Sequence, residues 1–290
     1  EGGEAKVRAV ALRLPRALAI GAVDPRRLSP ILLARRAREI AVAHAGRGWS
    51  VAAAAPCVVT GDLQPEALRA HVELIERSLT CLRRDFFARD PSRPVVAYLF
   101  GDDASYRRHA RELFGHRPET PYGYYDASER ALVMNIATGG GTLIHELVHP
   151  LLRASFPAAS PWLDEGLASL FEQCHARDGH LLGLTNWRLA GLQHELRAGI
   201  APGFAEIMAM DAGAFYGEGE ASRYAVARYL LYYFQERGAL VPLWRALVDG
   251  GRRADGGLAI VDAHARALGH ADIAAFRRSW ESFALGLHYP

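Results

Sequence analysis

Cysteine is scarce in this sequence. Cys57, Cys81 and Cys174 are the only three in 290 residues, an odd number with no C-x-x-C spacing, which argues against a disulfide framework and against a zinc site built from cysteines. An excess of one charge is also lacking. With 34 basic and 32 acidic residues the net charge is +2, which gives no electrostatic ground for nucleic acid as a partner. No apolar run is long enough to suggest a membrane anchor. The nearest approach, Val7 to Val23, is interrupted by Arg8, Arg13, Pro15 and Arg16, so neither a spanning helix nor the apolar core of a signal peptide is expected there. Glu1 stands where an initiating Met would be, which is compatible with a leader having been removed and leaves localisation open. Internal repeats are missing too. Half of the chain is hydrophobic, and its length is enough for one sizeable domain or two lobes.

Against this plain background one stretch carries chemistry. Gly139-Gly-Gly-Thr-Leu-Ile-His145-Glu146-Leu-Val-His149 places two histidines four residues apart in an apolar helical pattern. On a helix such residues share one face, so His145 and His149 can point ring nitrogens at one metal ion, with Glu146 beside it. Leu143, Ile144, Leu147 and Val148 would bury these polar groups, at a cost that a metal would offset. A surface helix with two solvated histidines fits such an apolar setting poorly. The glycines before the helix read as a turn. An anion cradle is the weaker reading of them, because the Lys-Ser/Thr of a P-loop is missing.

Zinc in a catalytic site takes three protein ligands and keeps a fourth position for water. A third ligand is therefore required, and Glu165 is the candidate, in the run Ser160-Pro-Trp-Leu-Asp-Glu-Gly-Leu-Ala-Ser-Leu-Phe-Glu172. That run opens as a helix, with Ser160 as N-cap and Pro161 at the first helical position. Leu163, Leu167, Leu170 and Phe171 form its buried stripe, while Glu165, Ser169 and Glu172 share another face. Asp164 is a rival ligand. Pro150, directly after the second histidine, is expected to kink or end the first helix.

His-Glu-x-x-His followed by Trp162-x-x-Glu165-Gly166-x-Ala168 resembles the gluzincin branch of the zincin metallopeptidases, and its second half is most similar to the M1 aminopeptidase form. The metzincin pattern fails, because Ser155 stands where its third histidine would be. The wider resemblance, to peptidase-MA-like bacterial proteins, covers roughly Trp49 to Gly238. It implies one Zn²⁺ per chain held by His145, His149 and Glu165, with Glu146 as general base. It also implies that Glu172 bonds a ligand histidine and that Tyr224 at the start of a helix donates to the oxyanion, with Tyr216 as the alternative.

The remaining elements follow from periodicity. Residues 1–48 read as an N-terminal helical extension with an amphipathic helix over 31–42, and residues 49–290 as the domain that the resemblance implies to be zincin-like and catalytic. Within that domain, 49–175 would carry the sheet and the zinc helix, and 176–290 a helical lobe. Strands are expected over 49–59, 94–100 and 131–136, and helices over 64–87 and 107–114, with an aromatic turn at 122–125. The later helices are expected over 186–198, 204–210, 224–237 and 241–248, with two more beyond. The strand before the zinc helix would offer Val133 and Asn135 to align a peptide by strand addition, as the resemblance implies. A core strand is the alternative. Arg188 could bind a substrate carboxylate or simply begin a helix.

The expected fold class is thus α+β and zincin-like: a small mixed sheet with the His-Glu-x-x-His helix, plus a mostly helical C-terminal lobe. The expected function is a zinc metallopeptidase acting on a peptide or protein substrate, without nucleic acid or a membrane anchor. Three alternatives stand beside it. These are a zinc hydrolase of a non-peptide amide, a catalytically silent zincin-fold binding module, and a structural metal site.

Overall fold

The apolar stretches at 57–61, 95–100 and 131–135 form the centre of the sheet in the computed structural model of the chain, which describes residues 24–290. The expected N-terminal apolar run at 7–23 falls outside the described residues. The contacts divide the chain into two compact units. The first comprises 24–83 and 87–155 of the described residues; the second comprises 84–86 and 156–290.

The first unit runs α1 (Pro30–Ala43), β1 (Ser50–Ala54), β2 (Cys57–Gly61), α2 (Pro65–Asp85), β3 (Val95–Phe100), α3 (Asp103–Phe114), β4 (Gly123–Asp126), β5 (Ala131–Asn135) and α4 (Gly140–Ser155). Its five strands lie in the order β1-β2-β3-β5-β4. The central pairs β2/β3 and β3/β5 are parallel, and the outer pairs are antiparallel. The sheet is therefore mixed, as expected. β2, β3 and β5 are buried at every position, as strands covered on both faces must be. Val58, Val96, Tyr98, Phe100, Ala131 and Val133 gather with Leu33, Ala37 and Ile40 of α1 and Tyr106 and Ala110 of α3 in one core cluster. The amphipathic helix of residues 31–42 thus packs on the sheet.

Three expectations about this unit need correction. The strand read over 49–59 is a hairpin, β1 and β2, because Pro56 has no N–H for a continuous ladder. The aromatic turn at 122–125 is strand β4, paired with β5 from Gly123↔Met134 to Asp126↔Ala131. Of the two outcomes expected of Pro150, the ending of the helix does not occur, since α4 continues through it to Ser155. A proline inside a helix costs about 3 kcal/mol. Here Leu147, Val148, Leu151 and Leu152 around it are all buried, and apolar burial of that size contributes roughly 1.5–3 kcal/mol per side chain.

The second unit contains α5 (Pro161–Leu170), β6 (Cys174–Arg177), β7 (His180–Gly183), α6 (Arg188–Ala198), α7 (Phe204–Ala209), α8 (Ala212–Phe215), α9 (Glu220–Gln235), α10 (Leu240–Gly250), α11 (Leu258–Ala267) and α12 (Ile273–Gly286). It is mostly helical, apart from one hairpin. That hairpin turns at Asp178 and Gly179, both with positive φ, so its Asp-Gly turn signal stands in the sequence. Helix α5 packs chiefly against α9. Gly166 makes the approach possible, since a Cβ there would sit 3.2 Å from the backbone of Ala227. Trp162, fully buried, donates its indole N–H to the Gly256 carbonyl at 2.9 Å and fixes the start of α5.

Candidate metal centre

In the first unit, Gly139 takes φ +103°, a conformation glycine tolerates, and turns the chain from β5 toward α4. The buried aliphatics of α4 then bring His145, Glu146 and His149 inside, with 8%, 9% and 6% exposure. The two imidazole rings lie 5.0 Å apart, centre to centre, and His149 Nε2 is 4.0 Å from a Glu146 carboxylate oxygen. Tyr106 is a nearby residue that periodicity did not single out. Its phenol is pushed up mainly by burial, then by Tyr124 and by the charge of Glu146, and it donates to the Thr120 carbonyl at 3.2 Å.

Val133 and Asn135 do not form the expected edge. β5 is flanked by β3 on one side and β4 on the other, so neither side of it is open for strand addition. The ends of the described sheet are β1 and β4. Val133 is fully buried in the core. Asn135 is a turn residue instead: its amide donates to the Pro121 carbonyl at 2.9 Å and its Oδ1 accepts from the Ala137 N–H at 3.2 Å.

In the second unit Glu165 lies on α5, 5% exposed, and accepts the Tyr216 hydroxyl at 2.8 Å. Tyr224, on the first turns of α9, lies near the same carboxylate. Its phenol is pushed far up, first by burial and then by the Glu165 charge and by Tyr216. Tyr224 is half-buried, whereas Tyr216 is 43% exposed. Of the two tyrosines named from the sequence, Tyr216 is hydrogen-bonded to this carboxylate and Tyr224 feels its charge. Arg223 went unnoticed in the sequence reading. It donates to the carbonyls of Phe215, Gly217 and Glu218 at 2.7, 2.6 and 2.9 Å and so holds the loop that carries Tyr216.

Glu172 accepts from Asn186 Nδ2 at 2.9 Å and from Arg188 Nε and Nη2 at 2.8 and 2.6 Å. The same Arg188 guanidinium lies 5.0 Å over the ring of Tyr224. A residue read as a substrate clamp or a helix start is thus engaged with Glu172 and Tyr224. Arg228, fully buried, donates to the carbonyls of Ser169, Leu170 and Leu184 and secures the end of α5.

His145, His149 and Glu165 each offer one ligand atom, and these atoms all lie within 4.8 Å of one another. Among the described residues no other group of three or more His, Cys, Asp or Glu has this property, and Asp164 is not part of it. Two imidazole nitrogens and a carboxylate oxygen form the donor set that zinc takes in open, catalytic sites. All three residues are buried. The chain matches no known family model, and no curated protein matches it either.

Proposed function

We propose that this chain is a zinc-dependent hydrolase of zincin-like fold, and specifically a metallopeptidase with one Zn²⁺ held by His145, His149 and Glu165. The observation that carries this reading is the cluster of three buried ligand atoms within 4.8 Å, with Glu146 beside one of the histidines. Zinc in such a donor set supplies a Lewis acid and activates water at neutral pH.

The chain's own residues do the rest. Glu146 accepts a proton from the attacking water and returns it to the leaving amine, a role for which a carboxylate must be close and shielded. Tyr224 is a half-buried phenol near Glu165, and a phenol keeps its proton at neutral pH, so it can donate to the oxyanion as charge develops there. Glu172, clamped by Arg188 and Asn186, fixes the end of α5 and the ring of Tyr224 through the shared guanidinium. A bonded ligand carboxylate is better oriented than a free one, and Tyr216 provides that bond to Glu165.

Metal analysis and a peptide-library digest on the same preparation test this reading. The expected result is about one zinc per chain, with cleavage lost on chelation and restored by zinc. Cleavage that survives complete metal removal contradicts the mechanism. Stoichiometric zinc without hydrolysis of any peptide points to the binding-module alternative, and turnover confined to non-peptide amides reassigns the substrate.

A further inference from the structure

Charge that balances over the whole chain does not balance locally. On α3, Arg107, Arg108 and Arg111 line one pocket of about 400 Å³ together with Glu112 and Arg117, the last just beyond the helix. Four guanidiniums face one carboxylate, in a chain whose net charge is only +2. That carboxylate is already matched: Glu112 accepts from Arg47 at 2.7 Å and is 3.0 Å from His109. Arg107 is matched as well, by Asp103 at 2.8 Å, and it also donates to the Pro118 carbonyl at 3.2 Å.

Arg108, Arg111 and Arg117 have no carboxylate partner among the described residues. Arg108 reaches only Ser105 Oγ and His109 Nε2, at 3.4 and 3.2 Å. Three unneutralised guanidiniums repel one another, so the folded chain carries a cost that a bound anion removes. The C-terminal end of α3 carries partial negative charge, which suits arginine and opposes an anion. Three cations outweigh that partial charge.

We propose that this pocket binds a ligand carrying clustered phosphates. A single carboxylate needs one guanidinium, whereas three in one small pocket suit a group with several adjacent oxyanions, which arginine meets through paired, planar N–H donors. No apolar side chain lines the pocket, so recognition rests on charge and hydrogen bonding rather than on a hydrophobic body. The walls are held in advance by the Arg107–Asp103 and Arg47–Glu112 pairs, which lowers the ordering cost of binding. Exposure of the three free arginines makes the affinity fall with salt. The same chemistry is offered by a free polyphosphate and by a phosphorylated lipid headgroup.

Calorimetric titration of the full chain with inorganic pyrophosphate at low ionic strength, set against orthophosphate, is the test. Saturable binding is expected, with pyrophosphate preferred, and the Arg108→Gln/Arg111→Gln/Arg117→Gln variant should bind at least about tenfold more weakly, given the strength of charge-assisted bonds. His145→Ala should bind as the wild type does, which separates this pocket from chelation at the histidine site. Co-sedimentation with phosphatidylcholine vesicles containing a phosphoinositide bisphosphate decides the source: retention indicates a headgroup, and its absence a free anion. The proposal is overturned if pyrophosphate does not saturate, if the triple variant binds unchanged, if His145→Ala abolishes binding, or if a hexaglutamate peptide binds more tightly than pyrophosphate.

Discussion

The candidate ligands of the two units are held in different ways. In the first, His145, Glu146 and His149 belong to one turn of α4, and helical geometry alone sets their mutual positions. In the second, Glu165 depends on a network: Tyr216 on its carboxylate, Arg223 on the Tyr216 loop, Gly166 against Ala227, and Arg228 at the end of α5. A locally built half tolerates change around it but not within it. A half built by a network can be weakened by small amounts from many positions.

The sharpest way to probe the local half is Glu146→Gln, which removes the proton acceptor and keeps shape and burial. Hydrolysis should fall by at least about 10²–10⁴-fold, the usual worth of a general base, with zinc content and melting temperature unchanged. Near-normal turnover in a zinc-loaded sample rules out Glu146 as the base.

On the network side, Glu165→Ala should abolish stoichiometric zinc, because it removes one of three ligands, while Asp164→Ala keeps its metal. Metal analysis after exhaustive dialysis reads this directly. Full zinc retention in Glu165→Ala takes that residue out of the site.

The two tyrosines divide the network further. Tyr224→Phe should lower kcat by about 10²-fold with little change in KM or zinc, because a donor to the oxyanion acts in the transition state. Tyr216→Phe should instead weaken zinc affinity by about tenfold, since it removes a bond to a ligand carboxylate. Steady-state kinetics beside a competitive zinc titration separates them, and the opposite pattern exchanges their roles.

The smallest effect is expected from Gly166→Ala. The added methyl meets the backbone of Ala227 at 3.2 Å. Overpacking costs about 1–3 kcal/mol and helix propensity returns up to about 1, so a net loss near 1 kcal/mol is expected. Thermal melting should show it. A stabilised variant with unchanged zinc affinity would mean that the α5/α9 spacing can relax without disturbing Glu165.

Several features were legible because their causes are local. The α4 motif, the Pro161 start of α5 and the buried strands at 95–100 and 131–135 follow from period, capping and composition. Others were misread although a signal was present. Pro56 marks the β1/β2 turn, Asp178-Gly179 marks the β6/β7 turn, and Asp102, whose side chain accepts the Ser105 N–H at 2.7 Å, marks an earlier start to α3 than the expected Arg107. Strand β4 had no such signal. Gly123-Tyr-Tyr-Asp126 is too short to show alternation, and it becomes a strand because β5 offers it a partner.

The sequence by itself determined the identities and local geometry of His145, Glu146 and His149 and offered Glu165 as third ligand, while the two tyrosines were named by the resemblance it carries. A four-residue helical offset needs nothing from the rest of the chain. Only the tertiary structure decided that β5 is closed on both sides, that Tyr216 bonds the Glu165 carboxylate, that Arg188 is tied to Glu172, and that Arg108, Arg111 and Arg117 stand around one pocket without a carboxylate partner among the described residues. Each of these depends on which distant residue arrives alongside, and a pairing of that kind leaves no period or spacing in the sequence.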